Sequence, residues 1–146
     1  MPTPIRAHAP AAHAAAASVD AGRALALGRS VLATEAMAID ALKHRLGDAF
    51  VAAAEAIFGC RGRVVVTGIG KSGHIARKLA ATLASTGTPA FFVHAAEAGH
   101  GDLGMITTDD VVLLLSNSGE TDELVLLVPH FKRQGARLIA LTGNER

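Results

Sequence analysis

The segment LLLSNSGETDEL, from Leu113 to Leu124, gathers the hydroxyls of Ser116, Ser118 and Thr121 around Gly119. It lies between an apolar run and the start of a helical pattern. Short neutral donors in such a turn act together with the free backbone N–H groups and positive dipole end of the helix. The result is a receptacle for an anion, above all a phosphate monoester. Ser116, Asn117, Ser118, Gly119 and Thr121 are therefore candidate phosphate-binding residues. A competing reading makes Asn117 a helix N-cap with Glu120 three residues later, as in a capping box. Capping accounts for one or two polar residues here and leaves the rest of the run unexplained.

A second turn, RVVVTGIGKSGHIARKLA from Arg63 to Ala80, combines G-x-G-x-x-G at Gly68, Gly70 and Gly73 with the triplet Gly70-Lys71-Ser72. The nucleoside-triphosphate loop needs a glycine where Val65 stands, inside the preceding strand, so that reading fails. The dinucleotide reading needs an acid at the end of the next strand, about 20 residues on. Val93 and His94 occupy that place, and Glu97 comes several residues later. A nicotinamide or flavin is thus a weak alternative, and close packing of helix on strand explains the glycines as well. Lys71 is harder to explain by packing, because a cation at a helix N-terminus meets the positive end of the dipole. An anion in the same pocket gives Lys71 and its neighbour Ser72 a purpose. A third contributor is the long loop HAAEAGHGDLGMITTDD, which carries Glu97, His100 and Asp102. A single histidine there gains meaning only from its place beside a phosphate site.

The elements that must hold these turns follow from periodicity. Leu32, Ala36, Ile39, Leu42 and Leu46 form one helical stripe, and Phe50, Val51, Ala54, Ile57 and Phe58 resume it after Gly47-Asp48. Two helices within a segment spanning 18–60 are predicted. From residue 63 the pattern becomes α/β, with strands at Val64–Thr67, Ala90–Val93, Val111–Leu115 and Arg137–Leu141. Helices are predicted from Ser72 to Thr86 and from Thr121 to Gln134, the second kinked or broken at Pro129. Apolar β-branched strands alternating with crossover helices predict a doubly wound, Rossmann-like parallel sheet over 63–146. Ligands of such sheets sit at the carboxyl ends of the strands. TGNER follows the fourth strand where another helix would be expected, so the pattern reads as a domain interrupted there.

Composition limits the alternatives. The chain has 146 residues, 50% hydrophobic and 18% charged, with 14 basic and 13 acidic side chains. Near-neutral charge, no Trp or Tyr, and 5 Phe argue against nucleic acid and anionic membranes as partners. The 1 cysteine, Cys60, cannot close an intrachain disulfide, which suits a cytoplasmic location. No apolar run reaches the roughly 20 residues that span a bilayer. The Ala/Pro-rich opening over 1–17, interrupted by His8 and His13, reads as a disordered tail and not a signal peptide.

Together, G-K-S-G-H, A-S-T-G-T-P, G-H-G-D-L-G-M and S-N-S-G-E resemble the sugar isomerase (SIS) domain of the D-arabinose 5-phosphate isomerases, from about Val64 to Thr142. The resemblance implies interconversion of D-ribulose 5-phosphate and D-arabinose 5-phosphate through an enediol, feeding lipopolysaccharide synthesis, with no cofactor and no metal. It implies a homo-oligomer whose partner is a pentose phosphate. Carried onto this chain, it matches Ser116, Ser118 and Thr121 to phosphate binding, and Lys71, His100 and Glu123 to the active site. Glu123 is the best base for the C–H proton, Lys71 suits phosphate or enediolate charge, and His100 a proton shuttle. The chain departs from the family at Ala95-Ala96, where Pro-Gly is common, and at Gly99, where Ala is usual. A later glutamate, a later histidine, a final strand and a CBS module belong to the family pattern and do not occur in these residues. A non-catalytic, sugar-phosphate-binding regulatory module is the alternative.

Overall fold

The computed structural model describes residues 19–99 and 101–144, with the backbone alone for Asp102. The tail expected over 1–17 and the candidate His100 lie outside the described residues. The chain separates into two compact units, Met1–Leu46 and Gly47–Arg146.

The first unit contains helix α1, Ala21–Leu42. Its start is set by Asp20, whose carboxylate accepts from Arg23 N–H at 3.0 Å and satisfies one of the orphan donors of the first turn. The anticipated stripe is helical but uncovered: Leu32, Ala36, Ile39 and Leu42 are all exposed, and α1 has no buried residue.

The second unit is the α/β body. Helix α2 spans Asp48–Phe58, strand β1 Val64–Gly68, helix α3 Gly70–Ser85 and strand β2 Ala90–His94. The loop beyond β2 contains the short helix α4, Ala95–Ala98, and a 3-10 turn, Asp102–Met105. Strand β3 is Val111–Ser116, helix α5 Asp122–Arg133 and strand β4 Arg137–Thr142. All pairings are parallel, in the order β2-β1-β3-β4. Val64, Val65 and Val66 have zero exposure, as expected of a central strand covered on both faces. Their side chains alternate. Val64 and Val66 join Leu113 and Leu115 against Ala76 and Ala80 of α3. Val65 joins Val112 and Leu114 against Leu124, Leu127 and Phe131 of α5. The two crossover helices therefore lie on opposite faces, which makes the sheet doubly wound.

Pro129 does not break α5, which continues to Arg133. The proline deprives the carbonyl of Val125 of its helical partner, and Val125 is half exposed, so water can take that place. At the amino end of the sheet, the 2% exposed carboxylate of Asp110 fixes the entries to β1 and β3. It accepts from Arg63 N–H at 2.6 Å, Thr107 N–H at 2.7 Å and the Thr107 hydroxyl at 3.1 Å. Burial pushes this carboxyl up, but the Arg63 and Thr107 donors, aided by the Arg63 charge, outweigh it and hold the pKa below the ordinary value.

Candidate functional site

The carboxyl ends of β1 and β3 lie side by side at the centre of the sheet, with Gly68 level with Leu115. From β1 the chain passes through α3 outward to β2. From β3 it passes through α5 in the other direction, to β4. The two connections diverge and leave a crevice between them, the topological switch point at which open α/β sheets bind ligands.

A cleft of about 310 Å³ occupies this point. Lys71, Ser72 and Ile75 of α3 line one side, and Leu115, Ser116 and Asn117 the other. Thr142 and Gly143, from the end of β4, complete the wall. Lys71 and Ser72 are there because α3 starts at Gly70, two residues before its expected beginning. The backbones of β1 and α3 nearly touch: a methyl group on Gly73 would lie 2.9 Å from the carbonyl oxygen of Gly68. No side chain caps α3 at Ile69, so its first N–H groups are free to bind an anion. Lys71 is exposed and, among the described residues, forms no ion pair.

Across the cleft, the hydroxyls of Ser116 and Thr121 hydrogen-bond at 2.8 Å. Gly119 N–H donates to Ser116 Oγ at 3.1 Å, and Glu120 N–H to Ser118 Oγ at 3.2 Å. Gly119 sits at φ +74°, a conformation that side chains rarely adopt. The loop is therefore a compact turn wrapped around its own hydroxyls. Helix α5 begins at Asp122 with Thr121 as N-cap and no side-chain cap bond. That corrects the capping alternative, since Asn117 is not the N-cap. Its carbonyl instead accepts from Gly143 N–H at 3.1 Å.

Not every candidate converges. Ser118, Gly119 and Thr121, though in the same loop, do not line the cleft, and Glu123, in the first turn of α5, is exposed and does not line it either. With Asp122 it places negative charge at the helix's positive end, which is favourable on its own account. Glu97 lies on α4 and is exposed. Thr142, Gly143 and Asn144 are not among the candidates that the sequence offers. The signal that finds them is topological: Ser116 is level with Thr142, so whatever follows β4 must lie beside the hydroxyl loop. Among the described residues, no group of three or more His, Cys, Asp or Glu could hold a metal, and no helix is long and apolar enough to cross a membrane.

Residues 57–146 match the SIS domain family. The chain belongs to this family. Arabinose 5-phosphate isomerase KdsD of Pseudomonas aeruginosa is 64% identical over 107 residues, covering 73% of this chain and 33% of the relative. Arabinose 5-phosphate isomerase GutQ of Escherichia coli K12 is 57% identical over 117 residues, covering 80% of this chain and 36% of the relative. The chain thus spans about a third of the length of the curated relatives it matches. The Escherichia coli CFT073 protein c3406, solved in complex with arabinose 5-phosphate, superposes with TM-score 0.82 at 44% identity, covering 88% of this chain and 68% of that one. As an SIS domain, the chain has its hydroxyl loop and Lys71 turn at the switch point of the parallel sheet, where topology alone already directs a ligand.

Proposed function

We propose that this SIS domain anchors a pentose 5-phosphate for aldose–ketose isomerisation between D-ribulose 5-phosphate and D-arabinose 5-phosphate, as part of a homo-oligomer in the cytoplasm. The observation that carries the reading is the meeting of the uncapped N-terminus of α3, with Lys71 and Ser72, and the Ser116–Asn117 end of the hydroxyl loop at one switch-point crevice, Ser116 being hydrogen-bonded to Thr121 behind it. Neutral donors and dipole ends suit a phosphate monoester, and Lys71 adds one full positive charge.

The reaction moves a proton between C2 and C1 through an enediol or enediolate. Anchoring the phosphate removes the translational freedom of the sugar, so the carbonyl end is presented to fixed groups. In this proposal Lys71 stabilises the phosphate or the developing enediolate charge. Glu123 takes the C–H proton and His100 relays a proton to the sugar oxygens. In this reading the present chain alone has weak or no turnover, and the exposure of Glu123 outside the cleft also favours a second reading, a non-catalytic sugar-phosphate-binding regulatory module.

One pair of measurements separates the readings. Calorimetric titration with arabinose 5-phosphate tests anchoring, and conversion of ribulose 5-phosphate tests catalysis. Turnover that Glu123→Gln abolishes while binding persists supports the isomerase. Binding without turnover, in this chain and in any longer form, supports the binding module. Failure to bind either pentose phosphate overturns both.

Large apolar side chains of the second unit carry the homo-oligomer proposal. Phe58 is 96% exposed and Leu126 71%, so both are available to pack against another copy. Among the described strands β4 is also an edge, with backbone groups open to pairing. A single monomeric peak in size-exclusion chromatography with light scattering contradicts this.

A further inference from the structure

We propose that Asn144 is a positioning residue that locks the peptide groups of the phosphate loop in the anion-binding orientation; this rests on the sugar-phosphate reading above. In a trans peptide the C=O and N–H point in opposite directions, so holding the oxygen on one side aims the hydrogen to the other. Two successive carbonyls of the loop are held in this way by the end of β4. Gly143 N–H donates to Asn117 O at 3.1 Å, and Asn144 Nδ2 donates to Ser118 O at 3.1 Å. The opposite ends of these two peptides are the N–H groups of Ser118 and Gly119. The Gly119 N–H meets Ser116 Oγ at 3.1 Å, so it faces the hydroxyl cluster. Successive N–H groups aimed at one spot form a concave site for negative charge.

The lock is needed because Gly119, at φ +74°, is the residue about which the Ser118–Gly119 peptide can rotate most freely. A flip would replace the inward N–H with a carbonyl oxygen and repel the phosphate. Asn144 is itself held, because its N–H donates to Thr142 Oγ1 at 3.1 Å. The same hydroxyl closes the space over Gly119, where an added methyl would lie 3.1 Å from it. Thus β4 contributes no proposed phosphate ligand and yet sets the orientation of the loop that does.

The test compares wild type, Asn144→Ala and Asn144→Asp in two measurements. The first is titration with arabinose 5-phosphate and with inorganic phosphate. Asn144→Ala is expected to weaken binding about five- to tenfold, the loss of one oriented hydrogen bond. Asn144→Asp is expected to weaken it further, because it removes the donor and adds charge of the wrong sign. A role in folding alone gives no such ordering. The second is amide hydrogen exchange without ligand, in which Ser118 and Gly119 should exchange faster in Asn144→Ala while the strands do not. Unchanged affinity together with unchanged exchange overturns the proposal. If wild type binds neither ligand, the sugar-phosphate reading fails, while the exchange comparison still decides whether Asn144 holds the loop.

Discussion

Replacing Gly73 with alanine sets two opposing effects against each other. In an open helix the change gains up to about 1 kcal/mol, because glycine forfeits backbone entropy and alanine does not. Gly73, however, is buried in the first turn of α3. Its added methyl would stand 2.9 Å from the oxygen and 3.3 Å from the carbon of Gly68. The obstacle is backbone at the end of a fully buried strand, so it cannot rotate away as a side chain would. Restoring ordinary contact requires α3 to retreat by about half an ångström, and overpacking of this kind costs roughly 1–3 kcal/mol. The clash wins, by about 1–2 kcal/mol net. For a unit of this size that lowers the melting temperature by roughly 5–15 °C. Circular dichroism melts of Gly73→Ala and Gly28→Ala make the comparison. Gly28 lies in α1 with nothing within 4 Å of its missing methyl, so the same change there should stabilise the helix. Because the retreat also carries Lys71 and Ser72 away from Ser116, phosphate affinity should fall with stability. A Gly73→Ala chain that melts at or above wild type, with affinity intact, refutes the close-packing account of the G-x-G-x-x-G pattern.

Three further outcomes follow from particular contacts. Asp110→Ala strands the Arg63 and Thr107 N–H donors and should cost about 2–3 kcal/mol in urea unfolding at neutral pH. Because the folded-state pKa of Asp110 is depressed, its contribution is complete above the ordinary carboxylate pKa and fades as pH falls through the lower folded value. The gap between wild type and Asp110→Asn should therefore narrow under strongly acidic conditions, and a constant gap contradicts the assignment. Thr121→Val removes the 2.8 Å hydroxyl pair with Ser116 and should weaken phosphate binding about tenfold by titration, with little change in melting temperature. Phe58→Ser should alter unfolding of the isolated chain by no more than about 0.5 kcal/mol, since Phe58 is 96% exposed. If Phe58 packs in an oligomer, the same change should shift the light-scattering mass downward.

The parallel sheet is legible because its central strands are continuous apolar runs bounded by turn and polar residues, and an unbroken apolar run is what a strand buried on both faces requires. Val64–Val66 and Val111–Leu115 are buried as that pattern predicts. The short helix Ala95–Ala98 and the 3-10 turn are invisible for the converse reason: elements of four residues have no period to detect. The stripe on α1 is legible as helical, but periodicity says that a face is apolar, not that anything covers it. In the site, Lys71, Ser72, Ser116 and Asn117 are legible because glycine and hydroxyl residues cluster at strand–helix junctions. Gly143 and Asn144 are not, because their part depends on strand order, which no local pattern encodes.

Strand order also gives the glycine-rich turn its meaning. G-x-G-x-x-G needs only that α3 approach β1 closely, and the contact between Gly73 and Gly68 meets that need without any nucleotide. What occupies the turn is decided by what lies opposite it. Had β3 lain at the edge of the sheet, Lys71 would have no hydroxyl loop opposite it. With β3 beside β1, Lys71 and Ser72 face Ser116 and Asn117 across one cleft, and the acid that a dinucleotide's ribose would need is missing from the end of β2, where His94 stands. A small ligand with a single phosphate fits both facts: it needs the hydroxyl loop and the helix ends, and makes no demand on the edge strand.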